Sequence, residues 1–460
     1  MVDNPASLVD FRPEEDISRI HRRIFSDQQI FDLEMKHLFE GGWVFLALDS
    51  QLPNPHDFLV TRAGRQEILL MRDKRGEIGA FYNSCPHRGA QICYLRQGNS
   101  PLHVCPYHSW SFESDGRNRA IKGKASGAYS PDFLEQKHDL HPIARFESYR
   151  GFLFGSLSAD VESLETYLGD ARKLLDLATD QSDSGLEVLP GMVTYTYRAN
   201  WKLQLENSAD GYHVTSTHPT YMKIAEARAG EDANESGVGG VWDRANSLIE
   251  ESEDWSRGGS FGFANGHALA WGSAPIVPSH PLFDRRVELE ARFGREKTEW
   301  MFYFRNLTIF PNVQIADNLA SILRIIRPIA PDRTEMVSYC LAPKGEGDAA
   351  RRRRLRQFED FFNPSGLATP DDLIAYEGCQ LGHRISGQPG WLQGYERGLA
   401  ARTSGPSKGA QELGINPLCS VEGSGVLNDE TVFQTHYQAW SERLGDKLPQ
   451  MRDMAENDAD

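Results

Sequence analysis

Two short stretches place a cysteine beside a histidine. They are Cys85-Pro86-His87-Arg88 and Cys105-Pro106-Tyr107-His108-Ser109-Trp110, with 17 residues between His87 and Cys105. Each offers one thiolate and one imidazole, with a proline directly behind the cysteine. Such a set can hold zinc in one tetrahedron. It can equally hold a [2Fe–2S] cluster, both thiolates on one iron and both imidazoles on the other, which raises the reduction potential over an all-cysteine cluster. A zinc finger wants two cysteines close together and then two histidines. Here each loop mixes the two types, which suits a pair of loops clamping a binuclear cluster better.

A second constellation lies at Trp201-Lys-Leu-Gln-Leu-Glu206-Asn207-Ser-Ala-Asp210-Gly-Tyr212-His213, followed by His218-Pro219. Asp210 and His213 are three apart and share a face on a helix. His213 and His218 are five apart, about 140° round a regular helix, so they converge only if the helix ends or distorts. β-Branched Val214, Thr215 and Thr217, with Pro219 after them, favour such a break. Alone, this pair reads more readily as one core and one surface histidine. An electron-delivering cluster upstream changes that, because it needs an acceptor. Two histidines with one carboxylate form the open site of non-haem Fe(II) oxygenases.

These side chains must be positioned by the elements around them. Ser26 to Gly42 reads as a helix, opened by a Ser26/Gln29 capping box and closed by Gly41-Gly42. Asp57–Arg62, Arg65–Arg72 and Glu77–Tyr82 alternate apolar and polar residues as short antiparallel strands. His103-Val104 leads into the second loop, and Arg150–Leu157 adds another strand. Asp160–Thr179 returns to a helical period, and Gln181–Gly185 is a polar linker. Val193–Ala199, Trp300–Ile309, Ser321–Pro328 and Thr334–Leu341 read as strands in series, which argues antiparallel pairing. The glycine-rich stretch 230–266 reads as a long loop. Asp348–Phe362 reads as a helix with Arg351–Arg354 on a solvated side, or as a docking patch for a reductase.

The chain has 460 residues, 40% hydrophobic and 25% charged, the length and composition of a two- or three-domain globular protein. A net charge of −16 speaks against nucleic acid or an anionic membrane as partner. No secretory signal or transmembrane run is evident, and six cysteines are too few for a disulfide framework. A cytoplasmic location is expected, with Cys93, Cys340, Cys379 and Cys419 as buried thiols. The other histidines (His21, His37, His56, His103, His138, His141, His267, His280, His383 and His436) and Trp201, Trp271 and Trp391 read as structural.

The spacing C-x-H, 17 residues, C-x2-H resembles that of Rieske iron–sulfur proteins. With Glu-Asn, Asp-x-x-His and His five later, the chain resembles the α subunits of Rieske non-haem iron ring-hydroxylating oxygenases. The wording around Trp201–His213, Arg305-Asn-Leu through Gln314, Arg324-x-x-Arg327-Pro and Phe361-Phe-Asn-Pro is most similar to the subgroup acting on benzoate, anthranilate, halobenzoates, toluate or salicylate.

The resemblance implies an α+β protein: an N-terminal helical segment at 1–43 packing on the catalytic domain, a small all-β Rieske [2Fe–2S] domain at 44–160, and a catalytic domain at 161–460 with an antiparallel sheet flanked by helices. Cys85, His87, Cys105 and His108 would hold the cluster. His213, His218 and a distant carboxylate would hold a mononuclear Fe(II). That carboxylate comes from an acidic pair in the family, here Thr369-Pro370-Asp371-Asp372, and Asp372 is the choice. The same residues can open a helix over Leu373–Gln380. Asp210 would bridge a Rieske histidine of one subunit to His213 of the next. In some members the asparagine sits four residues before the bridging aspartate; Asn207 sits three before, which counts against a role for it near the iron.

The expected activity is dihydroxylation of an aromatic carboxylate with O2 and NADH-derived electrons, giving a cis-diol or catechol. Electrons would arrive through a flavin/iron–sulfur reductase or a ferredoxin. An α3 or α3β3 ring with a small β subunit is implied, with no nucleic acid or membrane partner. Three other readings fit part of the pattern: a Rieske monooxygenase or O-demethylase, an electron carrier with the cluster alone, and a zinc-stabilised interaction protein.

Overall fold

The computed structural model describes residues 4–229, 257–385, 390–423 and 429–445. The chain divides into two compact units, one of residues 39–164 and one of residues 1–38 with 165–460. No helix among the described residues is long and apolar enough to cross a membrane.

The 39–164 unit is built of short antiparallel strands. One sheet runs in the order Ile78–Tyr82, Gln66–Arg72, Asp57–Ala63, Gln97–Asn99. A second contains Arg145–Tyr149, Phe152–Ser156 and Val44–Leu48, and a third Asn118–Ala120, Ser111–Glu113 and Leu102–Val104. Alternation along Asp57–Ala63 and Gln66–Arg72 sends Phe58, Leu69 and Met71 inward, where they meet Phe81, Trp110 and Phe112 in one cluster. Cys85 and Cys105 belong to that same cluster. The cysteine loops are therefore seated on the unit's core, Cys85 just after Ile78–Tyr82 and Cys105–Trp110 between Leu102–Val104 and Ser111–Glu113.

The other unit is organised by a ten-stranded sheet, antiparallel throughout. Leu186–Val188 and Val193–Tyr197 lie end to end along Arg333–Pro343. Then follow Ser321–Ala330, Val313–Asp317, Phe304–Ile309, Ala268–Gly272, Gly258–Gly262, Cys419–Gly423 and Thr403–Ser404. Ile322, Leu323, Ile325 and Ile326 are all buried, so this central strand is covered on both faces. The helix Thr431–Leu444 packs across Gly258–Gly262 and Ala268–Gly272.

Several expectations are corrected. Residues 4–25 are not helical throughout; Val9–Arg12 and Ile17–Ile20 form a hairpin with 3-10 turns before, within and after it. The helix expected from Ser26 is capped instead by Asp27, whose carboxylate accepts from the backbone N–H groups of Gln29 and Ile30. It runs Gln28–Glu34 and loosens into a π-helical turn at Met35–Glu40. Trp300 to Phe302 close a helix, Arg295–Phe302, and the strand begins at Phe304.

The glycine-rich stretch is not one loop. Residues 230–256 lie outside the described residues, but Gly258–Gly262 is a buried strand. Its glycines answer close packing: a Cβ on Gly262 would stand 2.3 Å from Thr435 Oγ1 and 2.8 Å from Cys419 Sγ. Arg354 is not on a solvated face, being 2% exposed and paired with Glu346 at 2.6 Å. Cys379 is exposed rather than buried.

Candidate functional site

The two cysteine loops are copies of one backbone turn. In the first, Cys85 N–H donates to Ala90 O at 2.8 Å and Gly89 N–H to Cys85 O at 2.8 Å. In the second, Cys105 N–H donates to Trp110 O at 2.7 Å and Ser109 N–H to Cys105 O at 3.0 Å. The fifth residue of each turn takes a positive φ, +71° at Gly89 and +61° at Ser109. The histidine is third in one turn and fourth in the other.

The turns bring both thiols together. Cys85 and Cys105 are buried, unpaired by disulfide, and close enough to share a hydrogen bond. Burial pushes the Cys85 thiol up, against hydrogen bonds from the His87 and Arg88 backbones. Thiolates there need a cation beside them. The rings of His87 and His108 stand 4.6 Å apart, and His87 stacks on Trp110 at 4.8 Å. Burial, with His108 and Arg88 nearby, lowers the pKa of His87 and keeps its imidazole neutral, as a metal ligand requires. His108 Nδ1 is buried with no hydrogen-bond partner among the described residues. Two close thiols, two facing imidazole rings and an orphaned ring nitrogen fit a [2Fe–2S] cluster.

The second site lies wholly in the 165–460 part of the chain. It grows from the helix Trp201–Asn207, whose Asn200 cap accepts from Lys202 N–H at 3.1 Å. Glu34 anchors this helix: it accepts from Trp201 Nε1 at 2.8 Å and pairs with Lys202 Nζ at 2.5 Å, both inside the core. Trp440 Nε1 donates to the same carboxylate at 2.7 Å. After the helix, Asp210 Oδ1 accepts from Tyr212 N–H at 2.6 Å, forming a turn.

His213 stands just before a single helical turn, Val214–Thr217, and His218 leaves helical geometry before Pro219–Arg228. The break lets the two rings face each other, centroids 5.2 Å apart. Asp372 comes from the first turn of Thr369–His383, where Pro370 and two carboxylates suit a helix start. Its Oδ1 lies 3.1 Å from His218 Nε2 and 3.5 Å from His213 Nε2. Asp371 approaches only the far nitrogen of His218, at 3.6 Å. One atom from each of His213, His218 and Asp372 falls within 4.8 Å of the others, the only such trio among the described residues. Two imidazoles and one carboxylate are the donor set of non-haem iron.

Asp210 Oδ2 lies 3.2 Å from His213 Nδ1, the nitrogen turned away from the trio. Burial disfavours the charged ring, but Asp210 and Asp372 outweigh it and raise the His213 pKa. Asn207 is the residue that spacing failed to place. Its Nδ2 is 3.1 Å from His213 Nε2 and donates to Asp372 Oδ1 at 3.1 Å. Its spacing carried no signal for this, since it stands six positions before His213, about 240° round a regular helix. Beneath it, Glu206 accepts from Tyr395 at 3.0 Å and from Tyr437, and burial raises its pKa to about 7.

The trio opens on a cavity of about 250 Å³. Val214, Tyr221, Phe304, Leu319, Phe361 and Phe362 give it apolar walls, and Ser208, Asn306, Asn318 and Arg324 a polar side. None of the histidines read as structural lines it.

Comparison with known proteins gives these features a context. Residues 42–136 match the Rieske [2Fe-2S] domain, and residues 186–445 match the ring hydroxylating alpha subunit (catalytic domain). The chain is 43% identical to the toluate 1,2-dioxygenase subunit alpha of Pseudomonas putida, covering 95% of this chain and 93% of that protein. It is 41% identical to the anthranilate 1,2-dioxygenase large subunit of Acinetobacter baylyi, covering 96% and 92%. Among solved structures, naphthalene 1,2-dioxygenase from Rhodococcus sp. bound to indole superposes with a TM-score of 0.77 at 25% identity, over 94% of this chain and 95% of that one. The chain belongs to the Rieske non-haem iron ring-hydroxylating dioxygenases, as a large (α) subunit with a [2Fe–2S] domain and a mononuclear iron site.

Proposed function

We propose that this chain is the terminal oxygenase subunit of a dioxygenase for a single-ring aromatic carboxylate, of the benzoate, toluate, anthranilate or salicylate kind. The observation that carries the reading is the His213/His218/Asp372 trio opening on an apolar cavity, in a chain over 40% identical to dioxygenases named for toluate and anthranilate. At about 250 Å³ the cavity has room for a small aromatic acid. The balanced reaction is arene carboxylate + O2 + NADH + H⁺ → cis-diol + NAD⁺. With an amino or hydroxyl group beside the carboxylate, dihydroxylation at the two substituted carbons leads on to a catechol by loss of CO2 together with ammonia or water.

Cys85, His87, Cys105 and His108 hold the cluster, and His213, His218 and Asp372 hold the iron. When bound, these groups supply one-electron transfer and O2 activation. Asp210 fixes the His213 ring through Nδ1, leaving Nε2 for the metal. Asn207 sets the spacing of His213 and Asp372. Asp210 is about a quarter exposed, which suits its bridging to His108 of a neighbouring copy. That role implies a ring of α subunits, α3 or α3β3, fed by a flavin/iron–sulfur reductase or ferredoxin in the cytoplasm.

The test is turnover by anaerobically purified protein with a surrogate reductase, NADH and O2. Benzoate, anthranilate, 2-chlorobenzoate and salicylate are set against naphthalene and biphenyl. A coupled diol or catechol from one acid, with neutral arenes inert, is expected. Neutral arenes alone being oxidised would sink the carboxylate reading. A singly hydroxylated or demethylated product would instead favour a monooxygenase.

A further inference from the structure

Four cationic side chains are buried among the described residues: Lys202, Arg305, Arg324 and Arg354. Three have a carboxylate partner. Lys202 pairs with Glu34, Arg305 with Asp317 and Arg354 with Glu346. Arg324, 6% exposed, has no carboxylate within ion-pair distance among the described residues. An unpaired charge so placed is costly to keep.

What surrounds Arg324 offsets that cost only in part. Its Nη1 donates to Ser208 Oγ at 3.2 Å, and its guanidinium carbon lies 4.7 Å from the Phe362 ring centroid. Nε is buried without a partner. Its strand neighbours in register, Gln314 and Ser338, are neutral. Arg324 is also the one lysine or arginine, among the described residues, that lines the cavity onto which the metal trio opens. It stands on the polar side with Ser208, and Ser208 adjoins Asn207, which touches both His213 and Asp372. The acids that line that cavity, Asp210 and Asp372, lie against the histidines.

We infer that Arg324 is the anchor for the substrate carboxylate, and so the residue that makes this cavity select an aromatic acid over a neutral arene. The assignment rests on the aromatic-carboxylate reading above. A planar carboxylate accepts paired hydrogen bonds from a guanidinium. Bound there, it neutralises the buried charge while the ring lies along Phe361, Phe362 and Leu319. A neutral arene leaves Arg324 uncompensated, which is rejection by an unpaired charge.

The experiment compares wild type, Arg324→Gln and Arg324→Lys as holoenzymes, all checked for iron content and cluster spectrum. Equilibrium dialysis under anaerobic conditions gives Kd for benzoate and for its neutral isostere benzamide, and turnover gives KM and kcat. Arg324→Gln should weaken benzoate about 30-fold or more, the scale of breaking a buried charge pair, with benzamide bound more tightly than by wild type because the unpaired charge that rejects a neutral ligand is gone. Arg324→Lys should keep part of the preference, since it retains charge without the fork. A Gln variant that preserves the wild-type benzoate preference overturns the assignment alone. A wild type that binds benzamide as tightly as benzoate overturns the carboxylate reading beneath it. If neither variant folds, a crystal structure of wild type with benzoate decides: a carboxylate on Arg324 supports the inference, and one held elsewhere ends it.

Discussion

The two metal sites of this chain are built in opposite ways. The cysteine loops lie within a contiguous unit, each donor pair sits inside one tight turn, and the turn is used twice. The trio in the other unit joins a broken helix at His213 and His218 to a carboxylate from a different helix, Thr369–His383. A turn fixes its donors through local backbone hydrogen bonds. The trio depends on tertiary packing, and so on every element that holds the two helices together. The first site should therefore tolerate damage elsewhere, and the second should not.

The sharpest way to break this comparison is Asp372→Ala. Mononuclear iron should be lost and turnover abolished, while the visible and EPR spectra of the cluster stay as in wild type. Loss of both metals together would show that the sites are not independent.

Asp210→Asn comes next. Both metals should remain and turnover fall by about 10- to 100-fold, the usual scale for a partner behind a ligating histidine. Stopped-flow reoxidation of the reduced cluster should slow in step. Asn207→Ala should cost about 10-fold in iron affinity by the same logic, read by competition with a chelator.

A pH measurement sharpens the contrast further. Burial lowers the His436 pKa from 6.5 to about 4 in the folded protein. Between those values the unfolded chain takes up a proton that the folded chain does not. Stability from this group is thus intact above about pH 6.5, falls as the pH is lowered and levels off below about pH 4, a change on the order of 3 kcal/mol. Thermal melts of His436→Gln against wild type should show a shallower acid loss. An unchanged slope would mean that His436 is protonated in the folded state.

The smallest effects compare the twin turns. Gly89→Ala should cost about 1–2 kcal/mol, because a Cβ there meets only Ser84 Oγ at 3.9 Å and the penalty is one of backbone angle. Ser109→Gly should be nearly neutral, relief at a positive φ offsetting the added freedom of the unfolded chain. Opposite results would deny that the turns are equivalent.

The same contrast explains what could be read in the sequence. The cysteine loops were legible because local turns leave a local spacing; the expected alternation of the strands beside them was not, since Ile68, Leu69, Leu70 and Met71 are buried in succession. The helix break was legible through Val214, Thr215, Thr217 and Pro219. Asp372 was not reachable by spacing and came through resemblance, since nothing local ties residue 372 to residue 213. Asn207 was discounted by its offset from Asp210, although its side chain reaches His213 and Asp372 directly. Gly258–Gly262 looked like a loop because the helix it packs against, Thr431–Leu444, lies far along the chain. Arg354 looked solvated because its partner, Glu346, precedes the helix and spacing alone does not aim one at the other.

The buried carboxylate of Glu34 carries a consequence for how the protein is made. It holds Trp201 and Lys202 at the start of the helix that leads into the iron site, and Trp440 near the far end of the described chain. At about 5–20 residues per second of synthesis, Trp440 emerges some tens of seconds after Lys202. The 39–164 unit is contiguous and can complete itself on the ribosome during that wait. The iron pocket cannot. Its scaffold stays open at one clamp until Trp440 has been made, so the iron–sulfur site has a head start in acquiring its metal, and iron for the second site is best delivered after that point.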